Sequence, residues 1–360
     1  MTSQSSLTGP VLVVGAGLLG TSIGLALRRA GVEVLLRDVN TEHIRTASGL
    51  GAGRAWDEQV PPQIVVVAVP PDFLGREIEW ALDHCPGAVV TDVGSVKTDP
   101  LLAAGQDGPP GYVDRYVGSH PLAGSERSGP LAASASLFDG RPWAITPHET
   151  AEPAAVNLVR ELASVCGGTP VELSPREHDQ AVARTSHLPH LLAALVAGRL
   201  TDAPADHLLL SGQGVRDVTR IAAGDPALWG QIVAANADAI GALLLELRED
   251  LDTLVAAIGG RERATVEALL DRGVAGTAAI PGKHGGPSQP VAALFVAVPD
   301  HPGELARLFA DASNIGVNVE DLRIDHDPGR PVGLVELIVA SDRVDFLQEA
   351  LEAREWTTHR

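Results

Sequence analysis

The stretch at residues 10–38 limits the possible folds of this chain more than any other. Val11-Leu12-Val13-Val14 is a short apolar run of the kind buried on both faces of a parallel sheet. Gly15, Gly17 and Gly20 follow with G-x-G-x-x-G spacing. Residues 21–29 then read as a helix, with Gly31 just past its end, and residues 32–36 as a second strand. Asp38 stands beyond the tip of that strand. Each part has a physical task. Gly15 permits the tight turn, Gly17 lets the backbone approach a pyrophosphate, and Gly20 lets the helix pack against the strand. Leu18, Leu19 and Gly20 lead into the helix and are expected at the cofactor, since the free N–H groups and the positive end of the dipole at the helix N-terminus face an anion. Asp38, about 20 residues on, is placed to accept from ribose hydroxyls. The stretch therefore predicts a Rossmann-type, doubly wound sheet with an NAD site. Arg37 is the one neighbour that could instead favour a 2′-phosphate.

The 360-residue chain is too long for one ordinary domain. A net charge of −19 argues against nucleic acid and against an anionic membrane surface as partners. The two cysteines, Cys85 and Cys166, are too few for a disulfide framework and fit a reducing cytosol. Residues 1–9 show neither a basic nor an apolar leader segment, and no apolar run reaches the roughly 18 residues of a membrane span. A cytoplasmic location is expected. Lys97 and Lys283 are the only lysines among many arginines, which sets Lys97 apart from generic surface charge.

Residues 64–69 form a further apolar run ending in Pro70-Pro71. Ligands lie beyond the carboxyl ends of such strands, so Val69 and Pro70 are expected to line the cofactor cleft. Residues 88–91 are another strand, followed by Gly94-Ser95-Val96-Lys97, with Lys97 expected at the cofactor. The first domain ends near Ser174. Residues 175–271 carry only helical spacing, and their long apolar stripes predict a homodimer. Residues 272–290 are rich in Gly, Pro and Ala and read as a linker. Residues 291–360 follow the order βαββαβ, an α+β ferredoxin-like module.

Three more clusters bear chemistry. His120, in Ser119-His120-Pro121, is a candidate general base, because an ordinary histidine pKa near 6.5 suits neutral pH. His187 and His190 lie three apart on one helix face. They could hold a metal, but no third ligand adjoins them, and none is expected. Arg220 is a candidate carboxylate clamp, and Asp225-Pro226 reads as a helix start.

Five motifs in order resemble the prephenate dehydrogenase family: the glycine loop, Gly94-Ser-Val-Lys97, the run from Gly118 to Glu126, Thr185-Ser-His-Leu-Pro-His190, and Thr219-Arg-Ile-Ala222 with Asp225-Pro226 and Trp229. The resemblance covers residues 10–270. It implies NAD-dependent oxidative decarboxylation of prephenate to 4-hydroxyphenylpyruvate in tyrosine biosynthesis. It also implies roles. His120 accepts the proton of the C4 hydroxyl, and Ser95 bonds that hydroxyl or orients the imidazole. Arg220 clamps a substrate carboxylate and His190 recognises the side chain. Ser125, Glu126 and His187 shape the pocket, and Trp229 closes it from a neighbouring subunit.

Asp300-His-Pro-Gly-Glu-Leu with Gly316-Val-Asn318 resembles an ACT regulatory domain. That implies tyrosine as a feedback ligand, with Asp300, His301, Asn314 and Asn318 as its candidate contacts. Arogenate dehydrogenase is the alternative within the class. A non-catalytic amino-acid sensor is the alternative outside it.

Overall fold

A computed structural model of the chain describes residues 6–106, 108–123, 127–281, 290–325 and 332–360. It divides into two units, one up to Glu249 and one from Asp250.

The first unit begins with β1 (Val11–Val14), α1 (Leu18–Arg29), β2 (Val34–Arg37), α2 (Thr41–Gly49), β3 (Arg54–Ala55), β4 (Ile64–Val67), α3 (Pro71–His84) and β5 (Val89–Asp92). The five strands form a parallel sheet in the order β3-β2-β1-β4-β5, with Val14 level with Arg37 and Val67. Alternation along β1 splits its side chains between two cores. Val11 and Val13 pack with Ile23 and Leu27, while Leu12 and Val14 pack with Leu74 and Ile78. This is why the run is apolar without a period of two. Helix α1 starts at Leu18, directly after Gly17, three residues before the position read from sequence.

Next come α4 (Thr98–Gly105), β6 (Gly118–Pro121), β7 (Pro142–Thr146), α5 (Pro153–Val165) and β8 (Thr169–Glu172). β6 runs antiparallel to β7, and β7 parallel to β8. Tyr116 bridges to Val90, so the chain entering β6 is tied to β5.

Helices follow: α6 (Pro175–Val182), a π-helical turn Ala183–His187, α7 (Leu188–Gly198), α8 (Ala205–Leu208), α9 (Gln213–Arg220) and α10 (Pro226–Ala235). α6 opens with a capping box, in which Ser174 and Glu177 bond each other's backbone. Asp225 caps α10, as its sequence predicts. α11 (Ala237–Gly260) runs on past the boundary between the units. Among the described residues no single helix is long and apolar enough to cross a membrane, and α10 and α11 bend by 93° at Asn236.

One expectation is corrected in the second unit. α12 (Arg263–Ala278) extends seven residues into the segment read as a linker. Arg272 makes a bidentate pair with Asp250 of α11, at 2.8 and 3.1 Å, and alanines keep the segment helical despite Gly273 and Gly276. Residues 282–289 lie outside the described part. Beyond them come β9 (Val291–Pro299), α13 (Glu304–Ile315), β10 (Val319–Asp325), β11 (Val332–Ala340), α14 (Val344–Glu352) and β12 (Thr357–His359). The antiparallel sheet order is β10-β11-β9-β12, the ferredoxin-like arrangement. Helix α13 starts at Glu304 and not at Pro302. Gly303 takes φ 97° there, which breaks the helix before it.

Candidate active site

The glycine loop is built as its spacing requires. Gly15 has φ 98°, and a Cβ on it would run into the Ala68 carbonyl just past β4. A Cβ on Gly20 would strike the Gly15 carbonyl. Gly17 faces open space, with nothing within 4 Å of where its Cβ would stand. No side chain caps α1 and no acid lies in its first turn, so the N–H groups of Leu18, Leu19 and Gly20 are available to an anion. Asp38 accepts from the N–H of Ala16 and of Asn40, at 2.7 Å each. Those bonds fix its carboxylate at the edge of the loop and leave a lone pair on each oxygen. Exposed Pro70 and half-buried Val69 sit at the same edge. A pyrophosphate and a ribose therefore fit this cradle.

Arg37 is turned away from the cradle. Its guanidinium bonds Glu77 Oε2 at 2.6 Å and lies 3.7 Å from the centre of the Trp80 ring. It is committed to α3 and not to a 2′-phosphate.

Where β5 meets β6 the interior is polar. Asp92 is fully buried. Its carboxylate takes the Lys97 ammonium, the Tyr116 hydroxyl at 2.8 Å and the Gly94 N–H at 2.9 Å. Lys97 Nζ also donates to the Ser119 carbonyl at 2.8 Å. Sequence set Lys97 apart from surface charge, and so it stands. Its expected contact with a cofactor is corrected, because the side chain has no exposed surface. Burial lowers the lysine pKa and Asp92 opposes that fall.

The Lys97 and Thr98 N–H groups reach out of this cluster to the two oxygens of Asp179 on α6, at 2.8 Å each. His178 Nδ1 lies 2.9 Å from Asp179 Oδ1, and His178 Nε2 lies 2.9 Å from His120 Nδ1. Asn236 donates to the Asp179 carbonyl at 2.9 Å and meets His187 Nδ1 at 3.1 Å. His187 and His190 both meet Trp229, His187 edge-on at 6.1 Å while bonded to Asn236, and His190 stacked at 3.5 Å. Trp229 thus stacks on a histidine of its own chain.

The electrostatics follow from burial. The His120 pKa is held well below 6.5, first by burial and then by His178, Lys97 and His187. This corrects the expectation of an ordinary histidine. Burial lowers His187 to about 4. Burial works to raise the Asp179 carboxyl, but bonds from His178, Thr98 and Lys97 outweigh it and hold the pKa low. At neutral pH the cluster therefore holds neutral imidazoles beside the Asp179 carboxylate.

Ser95 follows β5, half-buried, with its hydroxyl unpartnered among the described residues. Arg220 ends α9, exposed and without an ion pair among the described residues. Ser125 and Glu126 lie outside the described residues. Sequence reasoning missed His178, Asp179, Asn236, Asp92 and Tyr116. One signal was present: His178 falls four residues before Val182 on the buried stripe of α6, where a histidine needs a partner.

Comparison with known proteins agrees with this architecture. Residues 23–172 match the family profile "Prephenate dehydrogenase, nucleotide-binding domain", and residues 174–271 match "Prephenate dehydrogenase, dimerization domain". A probable prephenate dehydrogenase of Streptomyces niveus is 35% identical, over 96% of this chain and 98% of its own length. The crystal structure of prephenate dehydrogenase from A. aeolicus, in complex with hydroxyphenyl propionate and NAD+, is 28% identical with a TM-score of 0.68. That match covers 76% of this chain and 99% of the other. A Synechocystis arogenate dehydrogenase structure is 29% identical with a TM-score of 0.61, covering 73% and 96% of the two chains. On these matches the chain belongs to the prephenate dehydrogenase family.

Proposed function

We propose that the chain converts prephenate to 4-hydroxyphenylpyruvate at the histidine cluster, with His120 as the base. The observation that carries this is the pairing of His120 Nδ1 with His178, which leaves Nε2 for a substrate beside the cofactor cradle. The α1 N-terminus and Asp38 would hold NAD+, which would supply the acceptor for the hydride on C4. His120 Nε2 accepts the C4 hydroxyl proton as the hydride leaves, and returns it to the phenol oxygen once carbon dioxide has gone and the ring is aromatic. The unpartnered Ser95 hydroxyl bonds the same oxygen. Arg220 supplies the positive charge that a dianionic substrate needs on a chain of net charge −19. His190, held flat by Trp229, faces the side-chain end. The test is NADH formation on prephenate and on arogenate. Faster turnover of arogenate would replace the substrate assigned here, and no NADH from either would restore the sensor reading.

The working unit proposed is a cytoplasmic homodimer. α11 and α12 expose Val255, Ile258, Leu270 and Val274, each over 60% accessible, and such faces are covered in a stable protein. Tyrosine feedback through residues 291–360 is the remaining proposal. Asp300 and His301 precede α13, while Asn314 and Asn318 lie at its far end. Twelve helical residues span about 18 Å. One amino acid cannot touch both ends, so a tyrosine site made of these residues needs two copies of the module. A truncation ending near Gly285 should stay active and lose inhibition by tyrosine. Equal inhibition of both forms would place tyrosine in the active site.

A further inference from the structure

His120 presents a problem as a base. It is half-buried, the charges nearest it are those of His178, Lys97 and His187, and Asp179 and Asp92 stand behind His178. Such surroundings favour its neutral form, so the charged imidazolium formed on taking a proton needs a partner. That partner comes from α6.

Asp179 accepts two backbone N–H groups, one at each oxygen, so it is an acceptor in this network. His178 Nδ1, 2.9 Å from Oδ1, must therefore carry a hydrogen and donate it. A neutral His178 then has only a lone pair at Nε2. His120 Nδ1, 2.9 Å from that lone pair, must donate in turn. Its Nε2 is left unprotonated. The two rings meet edge to face, 73° apart. His178 is 1% exposed and Asp179 5%, so no route to solvent drains the far end.

We propose that Asp179, His178 and His120 form a carboxylate–imidazole–imidazole relay that sets the tautomer of the base and shares the charge it acquires. The inference rests on His120 being the base. When His120 Nε2 takes the substrate hydroxyl proton, the Nδ1–H proton can pass to His178 Nε2. The positive charge then lies on His178 against the Asp179 carboxylate. When the phenol oxygen takes its proton back from Nε2, both shifts reverse. No proton is gained or lost over the cycle. His178 and Asp179 touch no substrate and are positioning residues.

The orienting and charge-sharing parts separate experimentally. In His178→Phe the ring is kept but both bonds go. In His178→Gln the side-chain oxygen can still accept from His120 Nδ1 but cannot take a proton. The readouts are kcat and KM for prephenate, the pH profile of kcat/KM, and NAD+ binding as a check on folding. His178→Phe should lower kcat about a hundredfold with KM changed less than about threefold. His178→Gln should recover about tenfold of that loss, because it restores the tautomer. Asp179→Asn should lower kcat and move the acid limb of the profile. His120→Asn is run alongside. If it is inactive while His178→Phe, still binding NAD+, keeps kcat within twofold, the relay fails and the base assignment survives. If His120→Asn itself keeps its activity, both fail. A His178→Gln no better than His178→Phe would overturn the tautomer argument.

Discussion

The two units handle burial in opposite ways. In the C-terminal sheet the core is Leu294, Val296, Val298, Val335, Leu337 and Val339 with Leu308, Leu347, Leu351 and Trp356. No charged residue or histidine is buried there among the described residues. Between β5, β6 and α6 the first unit buries Asp92, Lys97, His178, Asp179 and His187 together. Burying such groups costs free energy unless each is bonded, and here each one is. An apolar core suffices where the interior has only to hold the fold. A bonded polar core can hold the proposed base, His120, neutral and aimed, which stability alone does not require.

The comparison can be broken at several points. The largest effect is expected at Asp92→Ala. It leaves the Lys97 ammonium buried without its counter-charge, which costs about 3–5 kcal/mol in unfolding by urea. A loss under about 1 kcal/mol would mean that water enters the cluster and that the core is not polar by design.

Leu337→Ala should cost about 2–5 kcal/mol in the C-terminal unit alone. Turnover of prephenate without tyrosine should stay unchanged. A parallel fall in kcat would show that the two cores are not independent.

Acid comes next. His187 has a folded pKa of about 4 against 6.5 for the free side chain. Between those values the unfolded chain binds a proton that the folded one refuses. Stability is therefore whole above 6.5 and drains as pH falls towards 4, by about 3 kcal/mol for this group. His120 and His178 act in the same direction. Thermal melts from pH 7 to 4.5 should fall steeply for the first unit, and His187→Asn should flatten the slope. An unaltered slope would remove His187 from the account.

The smallest effect concerns the cofactor. Glu77→Gln weakens the hold on Arg37 and should raise kcat/KM with NADP about tenfold, with little change for NAD. No gain with NADP would mean that Trp80 alone is enough to keep Arg37 away.

Sequence reached these two cores unequally, for a physical reason. The sheet, the glycine loop and the βαββαβ order are local signals: apolar runs, turn residues and helix starts within a few positions of one another. In β9 burial alternates, with Leu294, Val296 and Val298 inward, but its sequence is apolar throughout and shows only that a strand is there. The polar core is a matter of distant partners. Asp179 meets Lys97 and Thr98 some 80 residues away, and its carbonyl meets Asn236 57 residues on. No periodicity reports such pairs. Lys97 shows the limit well. Its rarity marked it as special, but only the fold shows that it points inward to Asp92. The misread linker failed the other way, since composition there hid a helix held by Arg272 and Asp250.

The most direct test of the whole account is the pH dependence of NADH formation from prephenate, compared between the natural chain and His120→Asn. A base needs a neutral His120, so activity should persist well below pH 6.5 and fall only as the depressed His120 pKa is reached. His120→Asn should lose about a hundred- to ten-thousandfold in kcat, keep KM nearly unchanged, and lose that acid limb. Near-normal kcat in His120→Asn, with the limb still in place, would put the base elsewhere and contradict the account.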